Sequence, residues 1–190
     1  MNLPGIYDSI NERLSKFQDI WIVSDTHFGD DEVHSLNKMR PSDTDFVKAI
    51  NAVCGRSSVL IHLGDVGVLE YIDCLKAGYK ILVMGNHDET KSKFLNHFNE
   101  VYEGPWMIGE KYILSHEPIP ALSWAMNIHG HNHRGPQQID PYHFNCNCDV
   151  AGYKPIHLIS LLKNGLASKI CSLHRQTVDR ATIRKEKNKI

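Results

Sequence analysis

Five short apolar runs, at residues 20–23, 59–63, 81–84, 112–114 and 125–128, each stop abruptly at a polar cluster, and that recurrence constrains the fold more than any other feature. Each run is too short for a helix, and the first four are dominated by branched aliphatic residues, the pattern of strands buried on both faces. Between the runs the period changes. Phe46, Ala49, Ile50 and Val53 lie on one face of a helix that Ser42 or Asp43 can cap and that closes at Gly55. Further helical stretches are expected over residues 68–77, around Phe94, Leu95 and Phe98, and from Pro155 through Leu158, Leu161 and Leu162 to Gly165. A leading helix is expected from Ile6, Ile10, Leu14 and Phe17, and a polar loop is expected to run through Pro41. Strands alternating with helices predict an α/β fold, a single-domain sandwich flanked by helices, in which ligands bind outside the carboxyl ends of the strands. The polar clusters then share one rim.

A chain of 190 residues with 42% hydrophobic and 23% charged residues can bury one full core and not two. Lys and Arg (21) balance Asp and Glu (22) to a net charge of -1. That gives no global attraction to nucleic acid or anionic membranes, so an anionic substrate has to be held locally. No apolar run approaches the roughly 20 residues of a membrane helix, and the first residues lack a basic stretch followed by an apolar one. A cytoplasmic protein without membrane association is expected. Cys54, Cys74, Cys146, Cys148 and Cys171 are odd in number and sparse, and are expected as reduced thiols. The tail over residues 175–190, with Arg180, Arg184, Lys185, Lys187 and Lys189, is expected to be solvated and to lie outside a domain spanning residues 1–174.

Histidine is in excess, with 12 in the chain. The ends of the five runs supply Asp25 and His27, Asp65, Asn86 and His87, His116, and His131 and His133. One divalent ion takes about four to six ligands, so this surplus predicts two ions with a shared carboxylate, for which Asp65 is the best placed. Imidazole and carboxylate without thiolate suit Mn²⁺, Fe²⁺, Zn²⁺ or Ni²⁺ rather than Ca²⁺, with Mn²⁺ the first expectation.

In order along the chain, Asp25-Thr26-His27, Gly64-Asp65, Gly85-Asn86-His87-Asp88, His116 and Gly130-His131-Asn132-His133 resemble the signature of the calcineurin-like metallophosphoesterases. The resemblance runs over residues 25–133, well over half the chain. It implies a first ion held by Asp25, His27, Asp65 and His133, and a second held by Asp65, Asn86, His116 and His131, with Asp65 bridging. It also implies a metal-bound hydroxide that attacks phosphorus in line. His87 would then be catalytic rather than a ligand, facing the phosphate and donating a proton to the leaving alkoxide. Asp88 is expected to orient that imidazole or its loop.

The chain departs from the pattern in two places. Val66-Gly67-Val68 follows Gly64-Asp65, where many relatives carry a further Asp or Arg that supports the catalytic histidine or grips phosphate. The loop after His27 reads Phe28-Gly29-Asp30-Asp31, whose acids repel a dianionic phosphate. A phosphodiester, with nucleotides and nucleic-acid ends among the candidates, is therefore the expected substrate, and a monoester the second choice. The competing reading is a non-catalytic scaffold on the same fold that binds a protein partner through its rim; an unliganded His87 beside a complete ligand set argues against it. His34, His62, His97, His129, His143, His157 and His174 have no motif position and are expected to be surface or locally hydrogen-bonded residues. Cys146 and Cys148 with His143 and Cys171 make a weak zinc pattern. Trp21 is expected in the core, whereas Trp106 and Trp124 are candidates for stacking a base. Residues 140–143 and 145–153 either form a rim loop or pack structurally.

Overall fold

The parallel strands Ile20–Val23 (β1), Val59–His62 (β2), Tyr79–Val83 (β3) and Glu100–Tyr102 (β4) lie side by side, with Ile156–His157 (β9) antiparallel at the outer edge of β1. Our account rests on a computed structural model, which describes residues 12, 19–108, 111–138, 140–165 and 170. A second sheet runs Trp106–Ile108 (β5), Tyr112–Leu114 (β6), Met126–His129 (β7) and His143–Asn145 (β8), with β6, β7 and β8 mutually parallel. Alternation along the strands assigns the two faces of the first sheet. Ile20, Ile22, Val59, Ile61, Ile81 and Val83 point between the sheets and pack with Ile108, Leu114, Met126 and Ile128 of the second. Val23, Leu60 and Leu82 point the other way, onto Phe46 and Ile50 of one helix and onto Ile72 and Phe94. A strand with both faces covered needs apolar residues at every position, which is why these runs read as continuous. The result is a mixed α/β domain of two sheets with helices on its flank.

The helices are shorter than their expected spans. Asp43–Val53 (α2) is capped by the Ser42 hydroxyl, which accepts from the Asp45 N–H, as the sequence predicts. The stretch over residues 68–77 contains only one turn, Glu70–Asp73 (α3), and the stretch around Phe94 only Lys91–Phe94 (α4). The polar loop holds a helix, Asp31–Leu36 (α1), that buries no residue, so it has no apolar face to be read from sequence. Cys148–Ala151 (α5) and Leu158–Lys163 (α6) complete the order, the latter preceded by β9 rather than continuous from Pro155. The leading helix, apart from Glu12, lies outside the described residues, as do Cys171, His174 and residues 175–190. No helix among the described residues is long and apolar enough to cross a membrane.

Candidate metal centre

The carboxyl ends of β1, β2, β3, β6 and β7 all face one rim. Pairing continues past the strands and locks the connecting loops together. The Asp25 N–H donates to Gly64 O at 2.9 Å, His27 N–H to Asp65 O at 3.0 Å and Gly130 N–H to His116 O at 2.9 Å. The His131 N–H donates to both carboxylate oxygens of Asp25 at 3.1 Å, joining the rims of the two sheets. Asp25, His27, Asp65 and His131 all have positive φ, at 59°, 41°, 56° and 64°. Four non-glycine residues in the left-handed region at one rim are a cost the surrounding hydrogen bonds must offset, a pattern typical of functional sites.

Two groups of donors emerge. Ligand atoms of Asp25, His27 and His133 lie within 4.8 Å of one another, as do those of Asp25, Asp65 and His116. Asp65 Oδ2 sits 3.5 Å from His27 Nε2 and 3.3 Å from His116 Nε2, between the two groups. Asn86 Oδ1 lies 2.9 Å from His116 Nε2 and 3.0 Å from His131 Nδ1, and these two nitrogens are 3.2 Å apart. The structure therefore brings all seven sequence-predicted ligands to one rim. Asp25, rather than Asp65, is the carboxylate common to both three-residue groups.

This donor set suits cations. His116 Nδ1 lies 2.8 Å from Leu63 O and donates to it, so the ring's exchangeable proton is on Nε2, turned toward Asn86 Oδ1 and Asp65 Oδ2, where a cation can replace it. Among the described residues, buried His27 Nε2 has no hydrogen-bond partner, an arrangement that stabilises nothing unless an electrophile sits in front of it. Neighbouring ligands of an ion bound at about 2.1 Å are themselves about 3 Å apart, the spacing seen around Asn86 Oδ1.

Charge follows the burial. Desolvation pushes the Asp25 carboxyl up to about 6 despite the Ser24 hydrogen bond, and pushes His27 down to about 4. Burial would raise Asp65 too, but the His116 hydrogen bond and charge and the His87 N–H bring it down to about 2. Burial disfavours charged His116, yet the Asp65 and Asp25 carboxylates lift it to about 9. An ion needs ionised Asp25 and neutral His116, so below about 9 it must displace the His116 proton and below about 6 the Asp25 proton as well. Mn²⁺ binding near neutral pH is therefore expected to release close to one proton, with affinity rising roughly tenfold per pH unit. Titration calorimetry in two buffers of different ionisation enthalpy measures this, and zero release would refute the His116 assignment.

Glycines create the close approaches. A Cβ on Gly130 would overlap the Ser24 hydroxyl and Asp25 Oδ2, and one on Gly85 would overlap Asp65 Oδ1. Gly130→Ala is expected to cost about 1–3 kcal/mol of stability by overpacking, read as a fall in Tm of roughly 2–4 °C per kcal/mol, together with weaker metal binding. An unchanged Tm would show that the rim can yield.

His87 stands exposed beside this centre, its ring 5.5 Å from that of His27, while its backbone N–H donates to Asp65 Oδ1 at 2.9 Å. Asp88 does not reach the imidazole. It accepts from the N–H groups of Asp65, Val66 and Gly85 at 2.8–3.0 Å, which fixes the loops after β2 and β3. Asp30 is the N-cap of α1, accepting from Glu32 and Val33 N–H, and its other oxygen lies 3.6 Å from His27 Nδ1.

One sequence expectation, Trp106 as a stacking face, needs correction, while the described cysteines and non-motif histidines take the roles expected of them. Trp106 is buried and stacked on Tyr102, with centroids 5.0 Å apart and planes 9° apart, so it offers no face to a base. Cys146 and Cys148 are buried thiols and join no metal-type group among the described residues; Cys148 Sγ donates to Asp25 O and His143 pairs with Asp140. His62 bonds Thr26, His129 bonds Gly130 O, and His34, His97 and His157 bond Asp43, Asp73 and Ser160, all local roles. Residues 145–153 do reach the rim: Asp149 lies 2.5 Å from His133 Nδ1. That residue was missed, because no motif spacing links it to its histidine. Arg134, adjoining His133, was missed as well; it is exposed and lines a groove of about 460 Å³ with His27, His87, His133, Val33 and Leu36.

No family model matches the chain, and no curated protein matches it by sequence. Among solved structures, a protein of unknown function from Aquifex aeolicus is similar at 27% identity and TM-score 0.64, over 76% of this chain and 97% of that one. The nuclease MPE of Pseudomonas putida matches at 21% identity and TM-score 0.44, over 62% of each chain. Yfce, a phosphoesterase from E. coli, matches at 20% identity and TM-score 0.40, over 67% of this chain and 77% of that one.

Proposed function

We propose that this chain is a metal-dependent phosphoesterase of the calcineurin-like type, acting on phosphodiesters. The observation that carries the reading is the convergence of seven nitrogen and oxygen donors on one rim, with a non-ligand imidazole, His87, exposed beside them. Asp25, His27, Asp65 and His133 would hold one divalent ion, and Asp65, Asn86, His116 and His131 a second, with Mn²⁺ the first expectation. When bound, such ions supply Lewis acidity, polarising phosphoryl oxygens and lowering the pKa of water at the site toward about 7.

The chain's own residues do the rest. His87, as imidazolium, donates its proton to the oxygen of the departing alcohol, so the leaving group exits neutral. Arg134 supplies a cation for a non-bridging phosphoryl oxygen from the His133 side, in place of the grip absent after Asp65. On the other side of His87, a cavity of about 770 Å³ is lined by Asp30, Asp31, Glu70 and Asp88, together with Glu89 paired to Lys93 and Asp73 paired to His97, and acids outnumber cations there. Carboxylates there oppose a dianionic monoester or a polyanionic strand and tolerate a singly charged diester with a neutral leaving group.

The test is hydrolysis of bis(p-nitrophenyl) phosphate and p-nitrophenyl phosphate in parallel by chelator-treated protein, with and without Mn²⁺. Mn²⁺-dependent turnover, faster on the diester, is the expected result. Two bound ions with no turnover of either would favour a binding scaffold instead.

A further inference from the structure

We infer that a buried ion pair, Arg40 with Asp149, is the positioning device for the first ion, acting through the His133 ring and the backbone of Asp25 and Thr26. This inference rests on the rim being a metal centre. Asp149 Oδ2 lies 2.5 Å from His133 Nδ1 and accepts a hydrogen bond from it, which selects the Nδ1–H tautomer of the neutral ring and leaves the Nε2 lone pair facing Asp25 Oδ1, 3.6 Å away. The His133 side chain is 37% exposed, and its ring also meets that of His27, with centroids 5.3 Å apart, but the bond to Asp149 is what selects its tautomer.

Asp149 is itself aimed. Its Oδ1 accepts from Arg40 Nη1 at 3.1 Å, from the Tyr153 hydroxyl at 2.5 Å and from Asn37 Nδ2 at 3.3 Å. The side chains of Arg40 and Asp149 are 1% and 6% exposed, so each charge depends on the other to be tolerated there. Arg40 Nη2 meanwhile donates to Asp25 O, at 2.8 Å, and to Thr26 O. Those carbonyls belong to the segment whose left-handed residues, Asp25 and His27, are two of the three members of the first donor group. One guanidinium thus pins the backbone carrying two ligands while holding the carboxylate that orients the third. His116, Asn86 and His131 are instead tied to Leu63 O and to one another. The geometry of the first site therefore depends on residues outside every motif block.

The consequence is selective. Asp149→Asn preserves the side-chain shape and Arg40's two carbonyl bonds. Facing Oδ1 toward Arg40 and Tyr153 obliges it to present an amide N–H₂ to His133 Nδ1, which moves the imidazole proton to Nε2 and blocks that ligand. Calorimetric titration of the chelator-treated chain with Mn²⁺ is expected to show one of the two sites weakened about 10- to 100-fold, with the other essentially unchanged. In a His133→Asn background, Asp149→Asn is expected to add nothing, because Asp149 works through that ring. The visible absorption of the Co²⁺-loaded protein reports the lost imidazole independently of activity.

Unchanged affinities at both sites in Asp149→Asn would overturn the positioning role, as would an equal loss with and without His133. Should Asp149→Asn unfold, Tyr153→Phe keeps the carboxylate and removes one bond that aims it; a few-fold loss confined to the same site supports the role, and no loss overturns it. Wild-type protein that binds no Mn²⁺ would remove the metal reading and this inference together, whereas binding by wild type and unaltered binding by both variants removes this inference alone.

Discussion

Asp65→Asn is expected to lose both ions and to reduce turnover by about 10³-fold or more, the upper range for removing one electrostatic group from an active site. Its Oδ2 lies within 3.5 Å of both His27 Nε2 and His116 Nε2, so one oxygen faces ligands of both sites. An amide offers at best one neutral oxygen there and, turned over, aims N–H groups at the place of the cations. It also removes the charge that the environment works to keep: the carboxyl is held at about 2 despite burial, chiefly by His116. Asp25 remains a member of both donor groups but does not replace the lost charge, because burial pushes it toward the protonated form. Metal content by elemental analysis, measured beside the rate, checks the prediction. Full two-ion occupancy in the variant would refute bridging by Asp65 whatever the rate.

The contrast between Asp65 and Asp149 shows what a sequence of this kind reveals. Asp65 is legible because it ends a strand buried on both faces, after a glycine, and such strand ends are where ligands bind in open sheets. The same logic exposes Asp25, Asn86, His116 and His131. Asp149 pairs with Arg40 across 109 residues of sequence and lies on a helix of four residues, so no period or spacing marks it. Its one available sign was position, in the stretch just after the last metal block, where sequence offered a rim loop or plain packing. The fold divides in the same way. β1, β2 and β3 read clearly because two covered faces leave no room for polar residues. β4, β5 and β8 are three residues long, as is β6, but unlike β6 they do not run into a cluster of candidate ligands that would mark a strand end, and α1 is stabilised by the Asp30 cap with nothing buried beneath it.

His87→Ala is expected to separate metal binding from proton transfer. The link between His87 and the rim runs through its backbone N–H, which donates to Asp65 Oδ1, and alanine retains that donor. The imidazole belongs to neither donor group, so both ions should stay bound with affinities close to wild type. Turnover should fall by about 10²-fold or more on a diester with an alkoxide leaving group, within the usual range for losing a general acid. On bis(p-nitrophenyl) phosphate the loss should shrink to a few-fold, because p-nitrophenolate departs readily without a proton. That difference carries the argument. An imidazolium that merely held the phosphoryl oxygens would be missed equally by both substrates, since both carry the same charge on those oxygens. Parallel rates for wild type and His87→Ala on a cyclic nucleotide and on the p-nitrophenyl diester therefore decide its role: unequal losses assign His87 to the leaving group, equal losses reassign it to phosphate binding, and no loss on either removes it from the chemistry.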